Sequence, residues 1–125
     1  MSIRYCVIRA RAKKYNFSIC SKNDFLEWYK NQPKICEYCQ IPQEIWERLF
    51  RGEMHHFSLS IDRKDSNDGY VVNNLTLACG RCNSTKNKFL THTEMKEIGE
   101  KYLKPKWQKL IKEDSDVHVD LERKI

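Results

Sequence analysis

The sequence predicts a small α+β fold: a strand–loop–strand–helix core closed by four cysteines, with helices framing it at both ends. Three observations predict it. Cys36-x-x-Cys39 and Cys79-x-x-Cys82 are two pairs with two-residue gaps, and 39 residues separate them. Between the pairs, Phe57-Ser-Leu-Ser-Ile-Asp62 alternates apolar and polar residues, and Leu75-Thr-Leu77 resumes that alternation after a polar loop. Helix-starting signals recur around them, at Ser21, Pro42, Thr91 and Pro105.

The chain has 125 residues and 15.0 kDa, which predicts one domain. Hydrophobic residues make up 40 % and mean hydropathy is −0.76, so the core is modest and gains from a staple. The formal net charge is +6 and the pI about 9.0, which suits a polyanionic partner. No apolar run reaches the length of a membrane span. Met1-Ser-Ile-Arg-Tyr-Cys-Val-Ile-Arg lacks the apolar run of a signal peptide. These features predict a cytoplasmic protein without a membrane partner. In that compartment six cysteines read as metal ligands or buried thiols, not as disulfides.

Residues 1–34 carry eight Lys or Arg and two acids and read as a basic helical extension. A helix over 2–14 would present Arg4, Arg9, Arg11, Lys13 and Lys14. That basic face either meets a phosphate backbone or is simply solvated. Ser21-Lys-Asn-Asp24 resembles a capping box and starts a helix over 22–31, with Phe25, Leu26, Trp28 and Tyr29 inward. Cys6 and Cys20 lack ligand-spaced partners and read as buried small apolar residues. Residues 35–90 form the stapled core. In it, Pro42 opens a helix to about Phe50, with Ile45, Trp46 and Leu49 on one face, ended by Arg51-Gly52. The strand over 57–62 follows, then a loop with an Asp68-Gly69 turn signal. A second strand uses Val71-Val72 and Leu75–Leu77, broken at Asn73-Asn74. A short basic helix runs from Gly80 to about Leu90. Thr91-His-Thr-Glu94 is a capping box for a helix to about Leu103, and Pro105 starts another to about Lys112. Residues 91–112 are thus C-terminal helices. Residues 113–125 hold five acids and two bases and read as a mobile acidic tail.

A two-residue gap lets two thiolates converge on one tetrahedral Zn²⁺ at about 2.3 Å each. Two such pairs tie together the ends of the inserted module. Four thiolates leave no open position, so Cys36, Cys39, Cys79 and Cys82 predict a structural zinc. The competing reading, a thioredoxin-like redox pair, requires a βαβ context that the pattern lacks.

Ser60-Ile-Asp62-Arg63, Gly69-Tyr70, Asn74-Leu75 and Cys79-x-x-Cys82-Asn83-x-x-Lys86 follow one another in fixed order. With the first cysteine pair, they resemble the HNH endonucleases, the ββα-metal nuclease family, and most closely its phage and bacterial branch. The resemblance covers roughly residues 36–90. It implies that Asp62 binds a catalytic divalent ion and that Asn83 completes the site. It implies that Asn74 braces the loop by hydrogen bonds, and that Asn87, one helical turn beyond Asn83, faces the same way. It places Arg63 where most members carry the general-base histidine.

Physical chemistry gives the same picture some content. Cutting a phosphodiester requires positive charge on the phosphoryl group and on the leaving oxygen. A carboxylate and an amide oxygen suit Mg²⁺ or Mn²⁺. Arg63, Lys64, Arg81, Lys86 and Lys88, with Arg9 and Arg11, are candidate phosphate contacts. Arginine cannot accept a proton near neutral pH, so Arg63 would clamp the phosphate instead. Another group must then activate water. His55 and His56 are candidates by chemistry, although about 20 Å of extended chain separates His56 from Asp62. Tyr70 either relays a proton or packs as a loop anchor. His92 falls at a helix start and His118 in the tail.

Two functions therefore compete. One is a metal-dependent DNA endonuclease or nickase acting on double-stranded DNA, with a homodimer or two successive nicks giving a double-strand cut. The other is a zinc module that binds nucleic acid but has lost its base.

Overall fold

The computed structural model describes residues 2–50 and 58–113. The expected end of the third helix at Arg51-Gly52, His55, His56, the first residue of the expected strand and the acidic tail beyond Glu113 lie outside the described residues. Among the described residues no helix is long and apolar enough to cross a membrane.

Helix α1 runs Ser2–Tyr15 and α2 Lys22–Asn31. Ser21 caps α2 as expected, accepting from the Asp24 N–H. Phe25, Trp28 and Tyr29 are buried, and Leu26 is half-buried against the same core. Tyr5, Ile8 and Ala12 of α1 pack inward, leaving Arg9, Arg11, Lys13 and Lys14 exposed. Cys6 corrects the sequence expectation: it lies on the exposed side of α1, and Cys20 is only half-buried.

The chain then makes a tight knuckle through Cys36–Cys39. Ile35 pairs with Pro42 across it, the Cys36 N–H donates to Ile41 O at 3.0 Å, and Gln40 takes φ 62°. Helix α3 is Gln43–Phe50, one residue later than expected. Pro42 caps it through its carbonyl, which accepts from the Trp46 N–H at 3.0 Å, instead of opening its first turn.

Strand β1 (Ser60–Arg63) and strand β2 (Leu75–Ala78) pair antiparallel, with Asp62 opposite Thr76 and Arg63 opposite Leu75. All four β2 residues are buried. Val71-Val72 do not extend β2 as expected. Val72–Asn74 form a 3-10 turn instead, because Asn74 is drawn into the preceding loop by its side chain. A two-stranded hairpin is marginal by itself; here α4 (Gly80–Lys86) packs against β1 and the cysteine knuckle grips β2, with Glu37 N–H donating to Leu77 O at 2.8 Å. Helix α4 stops four residues short of the expected end, at Asn87 with φ 45°.

From His92 to Glu113 the chain is one continuous helical rod: α5 (His92–Ile98), a π turn (Gly99–Leu103) and α6 (Lys104–Glu113). The Thr91–Glu94 capping box is complete on both sides. The expected break before Pro105 is replaced by the π turn, in which the Lys104 N–H reaches back to Gly99 O. A widened turn directly before a residue with no N–H keeps the rod unbroken.

This rod buttresses the knuckle. Trp107 Nε1 donates to Cys39 O at 2.9 Å, and a Cβ built on Gly99 would stand 2.5 Å from the Tyr38 carbonyl carbon and oxygen. Gly99 is thus required by close approach, not by its helical φ. Gly99→Ala should cost about 1–3 kcal/mol, the usual range for overpacking, read as a lowered thermal midpoint. A wild-type midpoint would contradict this packing.

Candidate functional site

The knuckle and the start of α4 bring four sulfurs together. Cys36 and Cys39 come from the knuckle; Cys79 is the N-cap of α4 and Cys82 lies in its first turn. All four are buried and their Sγ atoms lie within 4.8 Å of one another, with Cys39 and Cys79 3.8 Å apart. Four sulfurs about 2.3 Å from a tetrahedral centre stand about 3.8 Å apart, so the donor set fits a zinc-type ion. Hydrogen bonding among the thiols lowers the Cys36 pKa and raises those of Cys79 and Cys82. Four buried thiols sharing protons in this way are the arrangement that a metal cation would replace with direct bonds.

Next to this cluster, on the far side of Tyr38, lies Asp62. It sits mid-β1 and is 8 % exposed. Tyr38 Oη donates to its Oδ2 at 2.5 Å, and Lys86 Nζ stands 3.6 Å from the same oxygen. Burial pushes the Asp62 carboxyl above the ordinary carboxylate range, while the Tyr38 hydrogen bond and the Lys86 charge pull it partly back. Burial, followed by the Asp62 charge, raises the Tyr38 phenol, so Tyr38 stays a donor near neutral pH.

Asp62 opens onto a polar cavity of about 410 Å³, which Arg11, Arg63, Tyr70, Asn83, Asn87 and Lys88 also line. Arg63 is fixed there from two sides. Its Nη1 donates to Ser66 O at 2.8 Å and Asp68 O at 2.9 Å, and its guanidinium lies over the Phe17 and Tyr70 rings. The loop that receives it is held by Asn74. The Asn74 side chain accepts from Asp65 N–H at 2.9 Å and donates to Asp65 O and Gly69 O at 3.1 and 2.9 Å. The same loop docks on residues 18–20: Tyr70 N–H donates to Ser18 O, Cys20 N–H donates to Tyr70 O, and a Cβ on Gly69 would stand 2.6 Å from Ser18 O.

Residues 36–89 match the family model described as HNH endonuclease. A solved structure of PacI, described as a rare-cutting HNH restriction endonuclease with a mechanism of DNA perturbation, superposes with a TM-score of 0.76. It is 28 % identical, and the match covers 86 % of this chain and 78 % of that one. No curated protein sequence matches.

Residues 36–89 belong to the HNH endonuclease family.

Within the HNH core, the sequence expectations for the site divide. Asp62, Arg63, Tyr70, Asn83 and Asn87 meet at one cavity, with Arg11 and Lys88 at its edge. Asn87 reaches it as the cap that ends α4, not as a further helical residue. Asn74 stands behind the loop as a brace. Lys86 corrects its expected role as a surface phosphate contact. It is 1 % exposed and spends its ammonium on Asp62, on Arg63 O at 2.8 Å and on Ser66 Oγ at 3.3 Å. Arg81 points elsewhere, over the Phe50 ring and into an apolar hollow beside Trp46 and Trp107. Lys64 lines a neighbouring hollow, and Arg9 is exposed on α1 outside the cavity lining. His92 starts α5, pairs with Glu37 Oε2 at 3.0 Å and packs edge-on against the Tyr38 ring, outside the lining of the Asp62 cavity. His56 lies outside the described residues.

Sequence reasoning missed Tyr38. Its only signal was a phenol inside the first cysteine pair, 24 residues before Asp62.

Lys86→Met should leave Asp62 buried with Tyr38 alone. Removing one partner of a buried pair costs about 3–5 kcal/mol, so the urea midpoint should fall clearly. An unchanged midpoint would show that the ammonium does not hold the carboxylate.

Proposed function

We propose that this chain is a metal-dependent DNA endonuclease or nickase, with its reaction site at Asp62 and a structural Zn²⁺ on Cys36, Cys39, Cys79 and Cys82. The observation that carries this reading is Asp62 itself. A carboxylate held below an open polar cavity by one phenol and one ammonium, beside two asparagines and an arginine, is costly to keep. Stability alone does not favour it.

Asp62 and Asn83 would hold the catalytic divalent ion, Mg²⁺ or Mn²⁺, through hard oxygen donors. Bound there, such an ion supplies positive charge to the phosphoryl group and to the leaving 3′ oxygen. Tyr38 and Lys86 fix which way the Asp62 carboxylate points. Arg63 spends Nη1 on loop carbonyls, so its other guanidinium hydrogens are the ones a phosphate oxygen would meet. Stacking between Phe17 and Tyr70 supports the guanidinium for that task. Arg11 and Lys88 add charge at the rim, where a strand backbone would run. Double-stranded DNA is the proposed substrate; two copies of the chain, or two successive nicks, would cut both strands.

One observation favours the second reading, a zinc module that binds nucleic acid without cutting it. No histidine is found among the described residues that line the Asp62 cavity. The two readings separate in one assay. Supercoiled plasmid incubated with Mg²⁺ or Mn²⁺ should be relaxed or linearised by the wild type, whereas Asp62→Ala should lose at least about 100-fold in rate, the scale of one electrostatic group in a phosphoryl site, and still bind the plasmid. Binding by both proteins with cutting by neither would establish the second reading.

A further inference from the structure

Phe89 is 92 % exposed, more than any other large apolar residue described. It is not on a loose segment. Asn87 N–H donates to Asn83 O at 3.0 Å, and the N–H groups of Phe89 and Leu90 both reach Lys86 O, at 3.2 and 3.1 Å. Ser66 Oγ donates to Asn87 O at 3.4 Å from the facing loop. Leu90, the next residue, packs back onto the core. The turn therefore holds its backbone and presents one ring to solvent.

That ring is one wall of a second hollow, of about 490 Å³, a size that suits a nucleotide-scale ligand. Lys64, Asn67, Lys88 and Thr93 line it too, and Ser66 and Lys88 are shared with the Asp62 cavity. Asp65 is the single acid among the lining residues described, and its Oδ1 already accepts from the Asn67 N–H at 2.9 Å. So the hollow joins a bare π-face to two ammonium groups, directly beside the reaction site. Single exposed apolar residues are ordinary on surfaces. An aromatic ring flanked by cations at the mouth of a phosphate site is the pairing that nucleic-acid grooves use.

We propose that Phe89 is a stacking platform for one base of the bound DNA, next to the nucleotide whose phosphate enters the Asp62 cavity. Lys64 and Lys88 would meet the phosphates on either side of that base. The base stacks by its face, which every base possesses, so the contact grips without reading sequence. In duplex DNA the ring must enter between base pairs or receive a displaced base, so the contact couples binding to local unstacking. This inference rests on DNA being the substrate.

The test uses Phe89→Trp, Phe89→Ala and Phe89→Tyr in the full chain, with Ca²⁺ in place of Mg²⁺ and fluorescein-labelled mixed-sequence DNA, single- and double-stranded. Anisotropy reports binding, and the emission added by Phe89→Trp reports stacking. DNA should quench that added emission. Phe89→Ala should raise Kd at least about fivefold, the lower end of a lost base–aromatic stack, while Phe89→Tyr restores wild-type binding. All three should melt like the wild type, since the ring touches little of the core. Bound DNA that leaves the emission unchanged, or Phe89→Ala binding at wild-type strength, overturns the proposal even if plasmid is cut. Quenching without any plasmid cutting overturns the nuclease reading and leaves the platform standing. Absence of DNA binding overturns both.

Discussion

The Tyr38–Asp62 hydrogen bond joins the two chemical centres of this molecule. Tyr38 stands between Cys36 and Cys39, so its backbone belongs to the four-sulfur cluster. Its hydroxyl lies 2.5 Å from the Asp62 carboxylate, which lines the polar cavity. Anything that fixes the knuckle therefore fixes Asp62. The chain fixes the knuckle repeatedly: β2 through Glu37 N–H, the C-terminal rod through Trp107 and the close approach of Gly99, and α4 through Cys79 and Cys82. A two-stranded sheet with one short helix could not hold a buried carboxylate by its own packing. Here the sulfur cluster and the rod supply the rigidity that a larger core would supply elsewhere.

Lys86 is the complementary constraint on the other side of Asp62. One ammonium binds the carboxylate, the end of β1 and the 64–69 loop at once. Arg63 and Asn74 close that loop from within, so its shape is set by hydrogen bonds to backbone atoms and not by apolar burial. Such a loop keeps its polar interior while leaving a cavity open above it. The electrostatics follow the same logic. Burial works against the Asp62 charge, and a phenol and an ammonium restore part of what burial removes. A group balanced this way is poised to gain from a further cation.

Much of this was legible in the sequence for local reasons. The cysteine gaps, the alternation into Asp62 and the Thr91–Glu94 capping box depend on residues a few positions apart; the structure has the first and last, and its β1 starts at Ser60, leaving Ser58 and Leu59 of the expected strand outside it. The resemblance added the order of Asp62, Asn74 and Asn83, and these fall around one loop and one cavity. What was illegible depends on long-range packing. Lys86 reads as a surface cation because nothing nearby in sequence reveals that Asp62 and Ser66 fold over it. Tyr38 shows in the sequence only as a phenol between two ligands, and its partner appears once β1 is placed against the knuckle. The early end of α4 follows from Asn87 adopting a positive φ, which no periodicity announces. The π turn before Pro105 is a compromise between a proline and a rod already committed to packing on Tyr38.

On the proposed reading, the Cys36–Cys39 turn offers sulfur to one ion and, through the Tyr38 phenol, steadies the β1 carboxylate that would hold another. Crystals soaked in Mn²⁺ and measured at the zinc and manganese edges test this directly. Two separate anomalous peaks are expected, zinc among the four cysteine sulfurs and manganese between Asp62 and Asn83. Manganese bound away from Asp62, or no metal among the cysteines, would contradict that reading.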